Sequence, residues 1–357
     1  MIHLLGLETG ELRELARHLG VDEYRGNQLA NWLFMRRIID IEAMTDLPKD
    51  FRRQLLKNSV TASTLKLIKI EKAVDHTQKF LFDASDGMIE SVLLPQFDYQ
   101  NPASYFSQPE YIKDPYSRVT ACISTQLGCA VGCRFCATGL SGFARNLLAA
   151  EMVEQVIQLQ NTAGLRVSHV VFMGLGEPLL NYPETLKAVQ LLNRELGIGM
   201  RHITVSTVGI IPQMERLATE RLQLTLAVSL HAPNDELRNF LVPINRRYPL
   251  ADLRLAIKHY LELTGRRLTI EYVMLRGIND QPQLARELIT YLHGIPVHIN
   301  LIPYNSTDTE FQATTPEAIA QFQQLLESAG KRVTLRRARG AEIRAACGQL
   351  KAACRRN

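Results

Sequence analysis

The chain has 357 residues, 46% of them hydrophobic and 22% charged, and it contains six cysteines. This length provides for one large domain plus a smaller one, with a core that needs no disulfides. No run approaches the ~18 consecutive apolar residues of a membrane span, and acidic residues appear too early in the N-terminal sequence for a signal peptide. Because three of the six cysteines share one short motif, they suit a reducing compartment. We therefore expect a cytoplasmic protein that is not associated with membranes.

The formal net charge of +5 is unevenly distributed. Residues 331–357 contain nine Lys or Arg and one acid, so this segment carries +8 while the remaining 330 residues sum to −3. Such clustering is typical of a segment that binds a polyanion, because each phosphate contact releases condensed counterions. A solvated basic tail explains the charge equally well. Cys347, which lies within the segment, favours a functional role.

Residues 1–95 predict a small accessory domain of helices followed by a hairpin. The predicted elements are helices at Glu11–Leu19, Arg25–Arg36 and Lys49–Leu56 and strands at Lys79–Phe82 and Ile89–Leu94. Lys and Arg between the apolar positions of the helices could grip an RNA backbone, but a solvated helical cap has the same pattern. Residues 96–118 are polar, aromatic and proline-containing, which predicts a linker or extended loop.

Residues 119–330 predict an α/β core. Six apolar, β-branched runs are each followed by a helix-like stretch, which indicates βαβ units and a parallel sheet. The predicted strands are Val119–Thr125, Val167–Gly174, His202–Gly209, Gln223–His231, Leu268–Leu275 and Val297–Tyr304. The predicted helices are Glu151–Thr162, Tyr182–Leu196, Pro212–Arg221, Ala251–Thr264, Gln281–His293 and Pro316–Ala329. An open barrel and a doubly wound sheet fit this order equally well. A final strand at Arg332–Leu335 leads into the basic C-terminal tail.

Three cysteines in the loop after the first core strand form the spacing C-x3-C-x2-C, at Cys129, Cys133 and Cys136. A structural zinc site is closed by four protein ligands, whereas three thiolates leave an open position at a metal, which usually signals chemistry. Zinc completed by a histidine or by a distant cysteine is the alternative, although the nearest histidines, His76 and His169, do not stand at zinc-finger spacing.

Polar residues also follow the other core strands. Gly174-Leu175-Gly176-Glu177-Pro178 comes after the second strand, and a dinucleotide fingerprint fails there because residue 179 is not glycine. Ser206, the run Ser229-Leu230-His231, and Asn305 lie within or just after later strands. Each alone is as well explained by a turn or a helix cap. Together they predict a site at the C-terminal ends of barrel strands.

The cysteine spacing is the hallmark of the radical S-adenosylmethionine (SAM) enzymes, which this stretch resembles. AACGQL, GEPLLN, SLHAPND, VPIN and IEYVML together resemble the RlmN family of 23S rRNA adenine-C2 methyltransferases, from about residue 20 to 350. The resemblance implies an α/β fold with a partial, TIM-like (β/α)6 barrel and a [4Fe–4S] cluster on the three motif cysteines. It also implies that SAM contacts Gly176, Glu177, Ser206, Ser229, Leu230, His231 and Asn305.

The resemblance further implies a role for two more cysteines and one acid. One SAM first methylates Cys347, and a second SAM, cleaved at the cluster, provides the radical that removes a hydrogen atom from this S-methyl group. The carbon radical adds to the base and joins protein to RNA. Cys122 then attacks the Cys347 sulfur, which frees the methylated base and leaves a disulfide. Glu90 corresponds to the proton acceptor, although a charged residue on a hairpin edge is the simpler explanation.

The implied partners are 23S rRNA at the peptidyl-transferase centre, some tRNAs at the adenine 3′ of the anticodon, and an electron donor such as flavodoxin or ferredoxin. We expect a monomer. The related Cfr enzymes, which methylate adenine C8, are the nearest alternative, and Pro178 favours C2. A non-catalytic RNA-binding protein with a structural metal is the alternative from another class. Cys354 lies outside the recognised motifs and would share a face with Cys347 only if that segment were helical.

Overall fold

The computed structural model describes residues 1–97, 116–307, 309–351 and 353–354. The predicted linker, residues 96–118, lies mostly outside these ranges. The strands are β1 (Ile2–His3), β2 (Val60–Thr61), β3 (Lys66–Lys72), β4 (Gln78–Asp83), β5 (Gly87–Phe97), β6 (Tyr116–Cys122), β7 (Gln126–Gly128), β8 (Phe143–Asn146), β9 (His169–Phe172), β10 (Ile203–Thr207), β11 (Thr225–Ser229), β12 (Leu268–Met274), β13 (Val297–Pro303), β14 (Arg332–Leu335) and β15 (Ala353–Cys354).

The α-helices are α1 (Thr9–His18), α2 (Tyr24–Ala30), α3 (Lys49–Lys57), α4 (Ala137–Leu140), α5 (Ala149–Ala163), α6 (Tyr182–Arg194), α7 (Ile211–Thr219), α8 (Asp235–Leu241), α9 (Leu250–Thr264), α10 (Pro282–Tyr291) and α11 (Pro316–Ser328). Residues Asn31–Met35 continue α2 as a π-helical turn. Among the described helices, none is both long and apolar enough to cross a membrane.

The main sheet confirms the predicted α/β core. Within the described residues it has eleven strands, ordered β14-β13-β12-β11-β10-β9-β6-β5-β4-β3, with β15 beside β5. All neighbours from β6 to β14 are parallel, and six of these strands are each followed by a helix. The order runs from β14 to β3 without closing, so the barrel is open, as the partial (β/α)6 architecture requires.

Alternating side chains give the parallel strands two different faces. On β12 the outward face is apolar, and the ring of Tyr272 packs against Phe322 of α11 with ring centroids 5.4 Å apart. The inward face carries Glu271, which stands in register with Ser229 of β11 and Asn300 of β13. Glu271, Ser229 and Asn300 therefore lie on the interior face of the barrel.

The N-terminal residues attach to the barrel in two ways. The helical part is held by side chains: Thr9 Oγ1 donates to Glu195 Oε2 at 2.6 Å, and Arg194 pairs with Glu8 at 2.7 Å. The predicted hairpin is present as β4 and β5, and β5 pairs antiparallel with β6. The hairpin therefore extends the barrel sheet. The predicted domain boundary at residue 95 stays a prediction.

Residues 336–351, here called the C-terminal strap, cross the open barrel from β14 to β15, which pairs antiparallel with β5. Arg339 Nη2 donates to the carbonyl oxygens of Asp75 and Pro95, at 2.9 and 2.6 Å, and fixes the strap to the hairpin side. The basic C-terminal segment is thus not one exposed patch. Cys354 lies in a strand and not in the helix on which it would share a face with Cys347.

Candidate active site

A cavity of about 920 Å³ opens at the C-terminal ends of the barrel strands. Cys129, Cys133 and Cys136 all line it, so we call it the motif cavity. A second cavity of about 600 Å³ is lined by Cys122 and Cys347, and we call it the thiol cavity. Cys347 lines both cavities and lies where they meet.

Backbone hydrogen bonds fold the cysteine loop. The amide of Cys129 donates to Gly142 O at 2.7 Å, and the amide of Arg134 donates to Leu241 O at 3.1 Å, which ties the loop to the end of α8. Burial raises the pKa of the Cys129 thiol to about 12. Thiols so buried bind a metal only if its charge offsets the cost of the thiolates.

The donor set fits an iron–sulfur cluster better than a single ion. Among the described residues, no three His, Cys, Asp or Glu side chains converge on a point where one metal ion could sit. A [4Fe–4S] cluster makes no such demand, because each thiolate binds a different iron. Cys129, Cys133 and Cys136 line one cavity, and other residues form the rest of its wall, where a second ligand could bind.

Glu177 lies in the wall of the motif cavity and is 3% exposed. Its Oε1 accepts from the amide of Leu179 at 3.0 Å and its Oε2 from the amide of Val208 at 2.8 Å. Burial raises the pKa of Glu177 to about 7. Gly176 adopts φ +101°, and a side chain there would approach the Gln126 side chain to 2.6 Å. The turn therefore fixes a carboxyl group that a cationic ligand would keep ionised.

Ser206, Ser229 and His231 line the same cavity. The hydroxyl oxygens of the two serines are 3.4 Å apart. His231 has φ +62°, unusual for a residue with a side chain, and its Nδ1 accepts from the amide of Val273 at 3.1 Å. Burial lowers the pKa of His231 to about 3, so the imidazole is neutral and carries its proton on Nε2.

The thiol cavity brings together residues that are far apart in the chain. Cys122 ends β6, and Asn305 follows β13, where its Nδ2 donates to Cys347 O at 3.3 Å. Burial raises the pKa of Cys122 to about 12, and the nearby charge of Cys347 adds to the effect. Cys122 and Cys347 are both free thiols, so the implied disulfide between them is not formed in this structure.

Three predicted site residues are placed differently. Asn305 lines the thiol cavity and not the motif cavity. Leu230 lines neither, and its amide and carbonyl are bound to Glu271 O and Arg238 Nε. Glu90 also lies outside both linings: its Oε1 pairs with Lys79 at 3.2 Å and its Oε2 accepts from the amide of Lys351 at 2.9 Å. Their assigned roles stay predictions.

Comparison with known proteins bears on the whole chain. The family model described as the radical SAM superfamily matches residues 123–289, and that of the ribosomal RNA large subunit methyltransferase N-terminal domain matches residues 2–60. A probable dual-specificity RNA methyltransferase RlmN from Thermosynechococcus vestitus is 44% identical over 98% of both chains. Its counterpart from Thermotoga neapolitana is 42% identical, again over 98% of both chains. The chain belongs to the RlmN family.

A solved structure agrees with this membership. The crystal structure of a radical SAM methyltransferase from Sphaerobacter thermophilus has a TM-score of 0.89 and is 42% identical, covering 98% of this chain and 99% of that one. The radical SAM fold predicted from the sequence is therefore confirmed, and membership of this superfamily implies a [4Fe–4S] cluster and SAM.

Two charged residues that line the motif cavity were not predicted as site residues from the sequence. Arg336 lines both cavities, and Glu271 lines the motif cavity at 3% exposure. Glu271 had a signal, a lone acid within the apolar run IEYVML. Arg336 had none, because it stands beside another arginine in a basic run.

Proposed function

We propose that this chain is a radical SAM methyltransferase that methylates C2 of an adenine in 23S rRNA, at the peptidyl-transferase centre. We also propose that it acts on C2 of the adenine 3′ of the anticodon in some tRNAs. One observation carries the proposal: Cys347 borders both the cavity of the three motif cysteines and the cavity of Cys122. A methyl group on Cys347 would thus be accessible from the motif cavity, and the Cys347 sulfur would be accessible to Cys122 from the thiol cavity.

In this proposal the motif cavity holds the cluster and SAM. Cys129, Cys133 and Cys136 bind three irons, and the carboxylate of Glu177 binds the SAM ammonium group. Ser206 and Ser229 offer hydroxyl groups to the remaining polar atoms of SAM, and His231 offers its Nε2 proton. When bound, the cluster and SAM together supply the one-electron chemistry that removes a hydrogen atom from the S-methyl group.

The thiol cavity supplies the covalent steps. Cys347 takes the methyl group of a first SAM, so each turnover consumes two SAM molecules. After the methylene carbon has bonded to the base, the adduct would return one electron to the cluster and lose the C2 proton. Cys122 would then attack the Cys347 sulfur, so that an S–S bond forms as the S–CH2 bond breaks, and the released carbon takes up a proton. Cys122 suits this role because it lines only the thiol cavity and so leaves the cluster undisturbed.

Glu90 is our proposed proton acceptor. It shares a face of β5 with Val92, which lines the thiol cavity, and its partner Lys351 directly follows Leu350, another lining residue. The carboxylate would become available when the strap moves enough to release the amide of Lys351. Its Oε1 is 3.2 Å from the Lys79 ammonium group, which holds the carboxylate in place on β5.

Positive charge at the thiol cavity supports the binding of RNA there. Arg336, Arg337 and Arg339 all line the thiol cavity, where phosphates next to the target base would pass. An external one-electron donor, such as flavodoxin or ferredoxin, would reduce the cluster.

Nucleoside mass spectrometry of a 23S rRNA fragment tests this function directly. Reconstituted enzyme, SAM and a reductant should yield 2-methyladenosine, and Cys347→Ala should yield none. A tRNA substrate in parallel reactions tests the second activity. 8-Methyladenosine would assign the chain to Cfr-type chemistry, and no methylated product from either RNA would overturn the proposal.

A further inference from the structure

Arg336 lies at the junction of the two cavities. Its amide donates to Leu301 O at 2.8 Å, which extends the pairing of β14 with β13 by one residue. Its guanidinium Nη1 is 3.5 Å from Met173 Sδ, and the side chain is 31% exposed. Arg336 therefore lines both cavities together with Cys347 and the thiol cavity together with Cys122.

Within the described residues, Arg336 forms no close ion pair with a carboxylate. Its nearest carboxylate, Glu271, approaches Nη1 only to 3.8 Å, whereas a charge-assisted hydrogen bond measures about 2.7–2.9 Å. Asn300 Nδ2 donates to Glu271 Oε1 at 2.9 Å, and Glu271 Oε2 has no hydrogen-bond partner within the described part of the chain. The guanidinium therefore makes only a long ion pair with Glu271, and its positive charge also acts on the other groups around it.

We propose that Arg336 is a positioning residue that stabilises the thiolate forms of Cys347 and Cys122. This inference rests on the proposed function for its purpose: Cys347 can take a methyl group only as a thiolate. In that step the thiol proton has already left to solvent, the Cys347 sulfur bonds to the methyl carbon, and the carbon–sulfonium bond of SAM breaks. S-adenosylhomocysteine departs as a neutral thioether, so charge and atoms balance.

Two electrostatic effects agree with this geometry. The charge of Arg336 opposes the rise that burial causes in the pKa of Cys122. In return, Cys347 is the leading cause that raises the pKa of Arg336. Arg336 therefore interacts with both thiols, and the interaction is favourable when they are ionised.

The test measures thiolate character without RNA or SAM. Full-length protein with its cluster is prepared anaerobically, mass spectrometry confirms a free Cys347 thiol, and iodoacetamide labelling is followed at pH 7 on the Cys347 peptide. Arg336→Gln should slow labelling roughly tenfold, since a nearby opposite charge lowers the pKa of an acidic group by about one unit or more. Arg336→Lys should recover most of the rate, because it keeps the charge.

Controls separate charge from folding. Arg332→Gln removes a charge from β14 at a position that lines neither cavity, and it should leave the Cys347 rate unchanged. A misfolded variant would label faster, because unfolding exposes thiols, so slower labelling cannot arise from lost structure. Glu271→Gln removes the competing negative charge and should label Cys347 at least as fast as the native protein.

An unchanged Cys347 rate in Arg336→Gln, or a slower rate in Glu271→Gln, would overturn the inference. If Arg336→Gln labels normally but loses affinity for RNA, the cation contacts phosphate and does not act on the thiols. The proposed function fails separately, through the absence of 2-methyladenosine, because labelling requires neither methyl donor nor RNA.

Discussion

The motif cavity and the thiol cavity share the side chains of Met173, Ile302, Arg336 and Cys347, but their other walls come from different parts of the chain. Barrel strands and the cysteine loop enclose the first, and the carboxyl group of its Glu177 is held by two backbone amides. The C-terminal strap forms much of the second, whose rim is cationic. The comparison suggests that the barrel supplies cofactor chemistry of a general kind, while the strap adds thiol chemistry and access for one class of substrate.

The largest expected effect comes from removing a motif cysteine. Cys133→Ala should lose nearly all iron and all product, because two thiolates do not retain a cluster that needs three. Iron analysis should give about four irons per chain for the native protein. Cys122→Ala is the matched control, since it removes a thiol from the other cavity and should keep its iron. Equal iron loss in both variants would mean that the cavities are not independent.

Cys122→Ala should instead block the last step. RNA should accumulate as an adduct through Cys347, visible as a shifted band on a denaturing gel and as a modified Cys347 peptide. The double variant Cys122→Ala/Cys347→Ala should give no adduct. Release of free 2-methyladenosine at the native rate would remove Cys122 from the resolving role.

Glu177 should make the stability of the metal-free chain depend on pH. Burial raises the pKa of Glu177 to about 7, so the folded state retains a proton that the unfolded state loses above about 4.5. Its stabilising effect is complete below that pH and is lost as the pH rises to about 7. Between pH 5 and 8 the free energy of unfolding should fall by about 2–3 kcal/mol more in the native chain than in Glu177→Gln. Urea unfolding at both pH values measures this, and equal losses would contradict it.

The smallest expected effect is on stability, from a hydrogen bond between α4, which follows the motif cysteines, and the C-terminal strap. Thr138, which is buried, donates from Oγ1 to Leu350 O at 2.6 Å. Thr138→Val keeps the shape but leaves that carbonyl unpaired, which should cost about 1–2 kcal/mol in urea unfolding. Thr138→Ser keeps the hydroxyl and serves as the control. If valine costs no more than serine, the strap is held by its other contacts.

The sequence predicted the core strands well because they are continuous apolar runs, whereas the choice of a barrel over a doubly wound sheet came from the resemblance. The predicted strand Leu268–Leu275 differs from the observed β12 by one residue, and Arg332–Leu335 matches β14. The strand Lys66–Lys72 was missed because it alternates charged and apolar residues at the exposed end of the sheet. The short helix α8 was missed because its seven residues complete only two turns, although Asn234 caps it through the amide of Leu237.

The site was predictable where one short segment contains it. The cysteine spacing and the turn around Glu177 are local, and both line the motif cavity. The proximity of Cys122 to Cys347 came only from resemblance, because no local rule links positions so distant in the chain. Choosing Arg336 over Arg337 required the register of β14, in which Asn300 stands opposite Thr334, so that alternate residues face inward.

The strap has a consequence for the order in which the protein matures. It follows β14, so a ribosome completes the six βα units before it makes the segment that carries Cys347. A nascent or clipped chain that ends at residue 335 would contain every parallel strand and all three motif cysteines, yet no acceptor thiol. Under the proposed function such a chain would lack the methyl acceptor and could form no adduct with RNA, so the covalent step would require the strap to be synthesised and docked first.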